Sequence, residues 1–152
     1  MLNFQIRKAR REDVPAIVRL LANDPLGQQR EAYHDPLPAS YNLAFEDINQ
    51  DKNDYLMVVE DKGKVIGTAQ LTVITYLTYQ GGKRAQVEAV RIDEAYRGQG
   101  IGKLMLEWII NKARELGCHV VQLTTDKKRP EALEFYKKLG FSGTHEGLKL
   151  HL

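Results

Sequence analysis

The sequence predicts an α/β protein with a mixed, mostly antiparallel central sheet flanked by helices, in the order βααβββαβαβ. Three observations predict it. Strand-like runs cluster between residues 55 and 92 with only short turns between them, a spacing that favours antiparallel neighbours. On both sides of that cluster, apolar residues recur at helical spacing. The broadest of these helical stretches begins directly after AYRGQGIGK, where glycines stand at 98, 100 and 102.

Residues Leu2 to Arg10 suit a first strand, and Val14, Ile17, Val18 and Leu21 mark one face of a first helix, with Pro15 tolerable in its first turn. Residues 24–38 hold three prolines and a glycine and predict a mobile loop; Tyr41, Ala44, Phe45 and Ile48 then mark a second helix. YLMVVE (55–60), the turn DKGK (61–64) and VIGTAQLTVITYL (65–77) form a hairpin, and QGGKR (80–84) turns the chain into a third strand, QVEAVRI. Ile101, Leu104, Met105, Trp108, Ile109, Ala113 and Leu116 form an apolar helical stripe closed by Gly117. HVVQLTT (119–125) predicts a buried strand, and Ala132, Phe135, Tyr136 and Leu139 a short helix stopped by Gly140. In the tail, Leu148, Leu150 and Leu152 alternate with Lys149 and His151, which predicts a final strand.

A chain of 152 residues fits one domain, 1–152, and no linker, repeat or low-complexity tract divides it. Its formal net charge of +2 is spread along the chain, so nucleic acid is not an expected partner. No apolar run approaches the roughly 18 residues of a membrane span. The amino terminus lacks the pattern of a secretory signal, and the single Cys118 cannot form an internal disulfide, so a cytoplasmic location is expected. Ser40 and Ser142 lie outside any nucleophile elbow, and His34, His119, His145 and His151 lack metal-ligand spacing, so no metal is expected.

A strand that feeds a glycine-rich turn at a helix N-terminus offers backbone N–H groups and the positive end of the helix dipole to a pyrophosphate. A P-loop would need glycine at Arg97 and Ser or Thr at Leu104, and a dinucleotide fingerprint would need glycine at Lys103. Neither pattern is met. What remains is Arg97-x-x-Gly100-x-Gly102 between a strand and an amphipathic helix. That pattern resembles the acyl-CoA pyrophosphate loop of the GNAT N-acetyltransferase superfamily. ALEFYKKLGF at 132–141 is similar to a second segment of the same family, A-x-x-x-Y-x-x-x-G-F. The layout of LTTDKKRPEALEFYKKLGF is also similar to that of aminoalkylphosphonate N-acetyltransferases.

The resemblance implies an enzyme that transfers acetyl from acetyl-CoA to a primary amine by direct attack in a ternary complex. It implies cofactor contacts from the strand residues Val90, Arg91 and Ile92, and from the loop residues Arg97, Gly98, Gln99, Gly100, Ile101, Gly102 and Lys103. Backbone groups of Val90 and Ile92 would pair with the pantetheine arm as an added strand. Tyr136 matches the family tyrosine that protonates the departing thiolate, although the same residue could be an aromatic of its helix core. Glu88 stands where several members carry a glutamate that takes the amine proton; alternatively it faces solvent or pairs with Arg84 or Arg91. Many members carry asparagine where this chain has Arg129, which leaves that contact in doubt and offers a charge to a phosphate instead.

A small-molecule amine is the expected acceptor. Tyr33, His34 and Asp35, together with Tyr76 to Lys83, are expected to border its site. A peptide amine or a non-catalytic CoA-binding module are the alternatives. Homodimers are frequent in the family, and the tail strand would offer an edge for one.

Overall fold

The computed structural model describes residues 3–152. The chain divides into two compact units, one ending at Gln122 and the other comprising Leu123–Leu152. Among the described residues, the first unit holds a sheet of order β1-β2-β3-β4-β5, built from Phe4–Lys8, Asp54–Asp61, Lys64–Thr75, Lys83–Ile92 and Cys118–Gln122. The first four strands pair antiparallel, and β5 joins β4 parallel. Leu2, placed by the sequence in the first strand, lies outside the described residues.

The hairpin forms as its turn residues dictate. Asp61 pairs with Lys64, and Lys62 and Gly63 both take positive φ, 48° and 83°. This is the two-residue turn whose twist matches the flanking strands.

Helices α1 (Val14–Ala22) and α3 (Ala39–Gln50) cover one face of the sheet. Ile17, Val18 and Leu20 pack there with Phe45, Val58 and Val65. The proline-rich segment between these helices includes one helical turn, α2 (Gly27–Arg30), whose first amide donates to Asp24. A further turn, α4 (Thr78–Gly81), joins β3 to β4, with Tyr79 and Gln80 left-handed.

Helix α5 (Ile101–Glu115) buries Ile101, Met105, Leu106, Ile109 and Ala113. It packs closely on the other face of the sheet at Gly67, where a Cβ would stand 3.1 Å from the Met105 sulfur and 3.2 Å from the Ile92 side chain. Gly117, at φ 77°, ends the helix as the sequence predicts.

Two expectations are corrected here. β5 is not a buried strand: His119 and Val120 are exposed, because β5 is the last strand of the sheet. The final strand of the predicted order does not form. Residues 141–152 have no strand conformation, and Leu148 and Leu150 are 92% and 87% exposed. Alternation of apolar and charged residues specifies a half-buried strand only where a neighbour completes its hydrogen bonds, and no described strand pairs with this segment. In the second unit, α6 (Pro130–Lys138) starts with its proline in the first turn and ends just before Gly140, at φ 99°.

Candidate active site

Strand β4 has two different halves. Residues Lys83 to Gln86 are flanked on both edges, by β3 and by β5, and the β5 ladder stops at the pair Gln86 and Gln122. Beyond that pair, β4 continues through residues 87–92 alongside β3, past the end of β5.

The register to β3 slips in this second half. Gln70 faces Glu88 and Thr68 faces Arg91, so Ala89 and Val90 together oppose the single Ala69. This is a β-bulge, and Ala89 takes φ 55°, which for a residue with a Cβ costs about 1–3 kcal/mol. Strain of that kind persists only where the surrounding structure enforces it, and it collects at functional sites.

After β4 the chain makes a 3-10 turn at Glu94–Tyr96 and enters the glycine loop. Gly98 and Gly100 take φ 77° and 82°, and a Cβ built on either would meet nothing within 4 Å. The loop therefore presents open space beside backbone that has no side chains to shield it. The Ile101 side chain is buried and anchors α5, while the first amides of that helix have no carbonyl one turn earlier to receive them. Arg97, Gln99 and Lys103 are exposed. The amides of Ile101, Gly102 and Lys103 at the helix N-terminus, preceded by two left-handed glycines, form the kind of backbone array that suits an anion.

Two residues hold this loop in place: Tyr96, to which the sequence assigned no role, and Asp93, whose pairing with Glu94 reads in the sequence as a solvated turn but which is buried. Asp93, 4% exposed, accepts from the Ala95 amide at 3.0 Å and pairs with Arg19 at 3.1 Å and Lys64 at 3.5 Å. Burial pushes its carboxyl upward, but the Ala95 amide and the two cations outweigh this and hold it below the ordinary value. Tyr96 donates to Asp61 at 3.1 Å, and burial together with that carboxylate raises its phenol. A local signal was present: an aspartate two residues before Ala95, at the start of a turn, reads as a cap.

Glu88 is exposed and accepts a hydrogen bond from Gln86 Nε2 at 3.1 Å; Gln86 Oε1 in turn accepts from Gln122 Nε2 at 2.9 Å. The two arginines that might have neutralised Glu88 are engaged elsewhere. Arg91 pairs with Asp24 at 3.1 Å and donates to the Val90 carbonyl, tying the segment after α1 to β4. Arg84 lies over the rings of Tyr76 and Tyr79 at 5.0 and 5.6 Å.

Register places Asp54, Thr72, Gln86 and Gln122 side by side across β2 to β5. Cross-strand partners share a face, so these residues form a polar row next to the Gln70 and Glu88 pair. Thr72 donates to Asp54 within that row. Period-two alternation in each strand contained this row, but only the register reveals that the four positions coincide.

Tyr76 to Lys83 lies at the start of β4, where Tyr79 stacks on His119 with ring centres 4.5 Å apart. Tyr33, His34 and Asp35 lie on the segment between α2 and α3, where Tyr41 donates to Glu31 and accepts from the Ala32 amide. No cluster of three or more metal-ligating side chains occurs among the described residues.

The second unit carries Tyr136 and Arg129. Tyr136 is half-buried on α6, edge-on to Phe135 at 5.2 Å and to Phe141 at 5.8 Å. The Phe141 amide donates to the Tyr136 carbonyl, closing the helix end. Arg129 is the residue before Pro130, and its carbonyl receives the amides of Ala132 and Leu133.

Residues 16–141 match the model of the acetyltransferase (GNAT) family. The glucosamine 6-phosphate N-acetyltransferase of Trypanosoma brucei brucei is 33% identical over 90 residues, 59% of this chain and 59% of that protein. The aminoalkylphosphonate N-acetyltransferase of Salmonella typhimurium is 27% identical over 62% of this chain and 61% of its own length. A crystal structure of a protein described as a transcriptional regulator, from Bacillus halodurans C-125, has a TM-score of 0.96 at 50% identity, covering 99% of this chain and all of that one. A predicted acetyltransferase from Clostridium acetobutylicum, solved with acetyl-CoA, has a TM-score of 0.75 at 25% identity, covering 98% and 96%. The matched stretches span about three fifths of these curated relatives. The family match extends over β2 to β5, the glycine loop and the Tyr136 segment alike, and the chain belongs to the GNAT acetyltransferase family.

Proposed function

We propose that the chain is an acetyl-CoA-dependent N-acetyltransferase acting on the primary amine of a small molecule. The observation that carries this is the pair of left-handed glycines, open to space, at the start of α5 and directly after a strand that outruns its neighbour. The solved relative with acetyl-CoA supports the cofactor, and relatives named for glucosamine 6-phosphate and aminoalkylphosphonates support a small acceptor.

When bound, acetyl-CoA supplies a thioester whose carbonyl carbon accepts the amine. Amides from Gly98 to Lys103 hold the diphosphate, with Arg97 adding charge and Arg129 reaching a phosphate. Backbone groups of Val90 and Ile92 hold the pantetheine arm as an added strand, with Arg91 between them contributing main chain only, since its side chain serves Asp24. An amide at the bulge donates to the carbonyl oxygen as it gains charge. Glu88 takes one proton from the ammonium, directly or through water, to free the amine. Once the amine has attacked, its nitrogen gives up a second proton as the C–S bond breaks. The Tyr136 phenol protonates the departing sulfur and is restored by that second proton, and the proton held by Glu88 passes to solvent, so the net reaction releases one proton. A single N-acetyltransferase domain spanning 1–152 is part of this reading, and the family match across residues 16–141 supports it.

The setting is cytoplasmic on this reading; among the described residues no helix is long and apolar enough to cross a membrane. A homodimer is proposed on family grounds alone, because the tail strand that would have offered an edge does not form; light scattering checks it. Incubation with acetyl-CoA and a panel of amines, followed by thiol release and mass spectrometry, tests the activity. CoA binding by calorimetry without turnover of any small amine or peptide would instead identify a CoA-binding module.

A further inference from the structure

A cavity of about 140 Å³ lies between α1, α3 and the sheet, within the first unit. Its walls include Leu21, Phe45, Ile48, Leu56, Thr68 and Ala89, and none of its lining side chains is charged. The Thr68 hydroxyl is already committed to the Met57 carbonyl at 2.9 Å. Water entering such a space would find few partners, whereas an apolar cavity of about 150 Å³ is large enough for benzene.

The cavity reaches the bulge. Ala89 is part of its wall, and so is Gln70, the β3 partner of Glu88. Cross-strand partners share a face, so the Glu88 carboxylate rises from the same side of the sheet as the cavity and beside it. The polar row from Asp54 to Gln122 borders the same ground. An amine placed with its nitrogen at Glu88 has hydrogen-bonding groups on one side and an uncharged, mostly aliphatic recess on the other.

We infer that this cavity receives the apolar group of the acceptor, and that the acceptor class is a compact alkylamine or arylamine rather than a sugar phosphate. This rests on the acetyltransferase reading and on Glu88 marking the acceptor nitrogen. A sugar phosphate is polar on every side, and these walls offer neither a cation for the phosphate nor enough donors and acceptors for the hydroxyls.

The test compares ethylamine, n-butylamine, benzylamine and glucosamine 6-phosphate as acceptors at saturating acetyl-CoA. Each methylene drawn into the cavity should raise kcat/KM about fourfold, so n-butylamine should exceed ethylamine by about 15-fold, with benzylamine at least as good. Ala44 lines the cavity yet is exposed on α3, so Ala44→Phe fills the space with little cost to the fold. In that variant the kcat/KM ratios of benzylamine and of n-butylamine to ethylamine should both fall towards one. Benzylamine binding by calorimetry in the presence of CoA provides a readout that needs no turnover, and Ala44→Phe should weaken it at least tenfold. A flat response along the alkyl series, a preference for glucosamine 6-phosphate, or equal benzylamine binding by both proteins overturns the inference. Benzylamine binding that depends on Ala44, with no acetylation of any amine, would instead keep the cavity and overturn the acetyltransferase reading.

Discussion

The two halves of β4 share a strand and differ in their neighbours. From Lys83 to Gln86 both edges are occupied, the register to β3 is regular, and Ala85 is buried between β3 and β5. From Val87 to Ile92 the ladder continues with β3, Ala89 is left-handed, and the strand runs into an open glycine loop. The first half satisfies its backbone within the protein. The second lacks a β5 partner, and on the proposed reading its backbone groups are offered to the cofactor, with the strain at Ala89 in the same stretch. A strand that outruns its neighbour leaves an edge of main chain that side-chain motifs alone do not reveal.

The largest effect should come from blocking the open loop. Gly100→Glu places a side chain and a negative charge in the space beside the left-handed backbone, and CoA binding should fall below detection by calorimetry. Unchanged affinity would break the distinction between the halves outright. Next, Tyr136→Phe keeps the ring contacts with Phe135 and Phe141 and removes only the hydroxyl, so kcat should fall about 10²–10⁴-fold with CoA affinity unchanged. Wild-type kcat in that variant would return Tyr136 to a packing role. Glu88→Gln should lower kcat/KM most near neutral pH and recover partly at high pH, where more of the amine is already neutral. A loss that does not vary with pH would make Glu88 structural, like the glutamines of the paired half.

Much of this was legible in the sequence, and the reasons are local. The hairpin at 61–64, the apolar stripe of α5 and the glycine loop are each set by residues close in the chain, as Lys62-Gly63 and Gly98-x-Gly100 illustrate. The bulge was not legible, because alanine carries no local preference for positive φ and the Ala89 conformation is imposed by pairing with β3. The polar row escaped for the same reason: Asp54 and Gln122 are 68 positions apart, 122 − 54, and fall into one row, at its two ends, only through register. The tail failed in the opposite direction, since Leu148 to Leu152 carry a strand pattern with no strand beside them.

A smaller effect concerns the junction between β4 and the loop. The Asp93 carboxyl is held below the ordinary value, so its contribution to stability is present above the unfolded carboxylate pKa of about 3.9 and is lost as pH falls through the lower folded value. Asp93→Asn should therefore lower Tm by roughly 3–10 °C at neutral pH, and the gap to wild type should close below about pH 4. A gap that is the same at both pH values would mean that the charge on Asp93 does not hold the loop.

The most direct measurement is amide hydrogen exchange, resolved along β4 and the loop, with and without CoA. Slower exchange at residues 87–92 and 98–103 on adding CoA, with 83–86 unchanged, is the predicted result. Protection that is absent from 87–92, or equal in both halves of the strand, would contradict the claim that the half of β4 beyond β5 is the cofactor's surface.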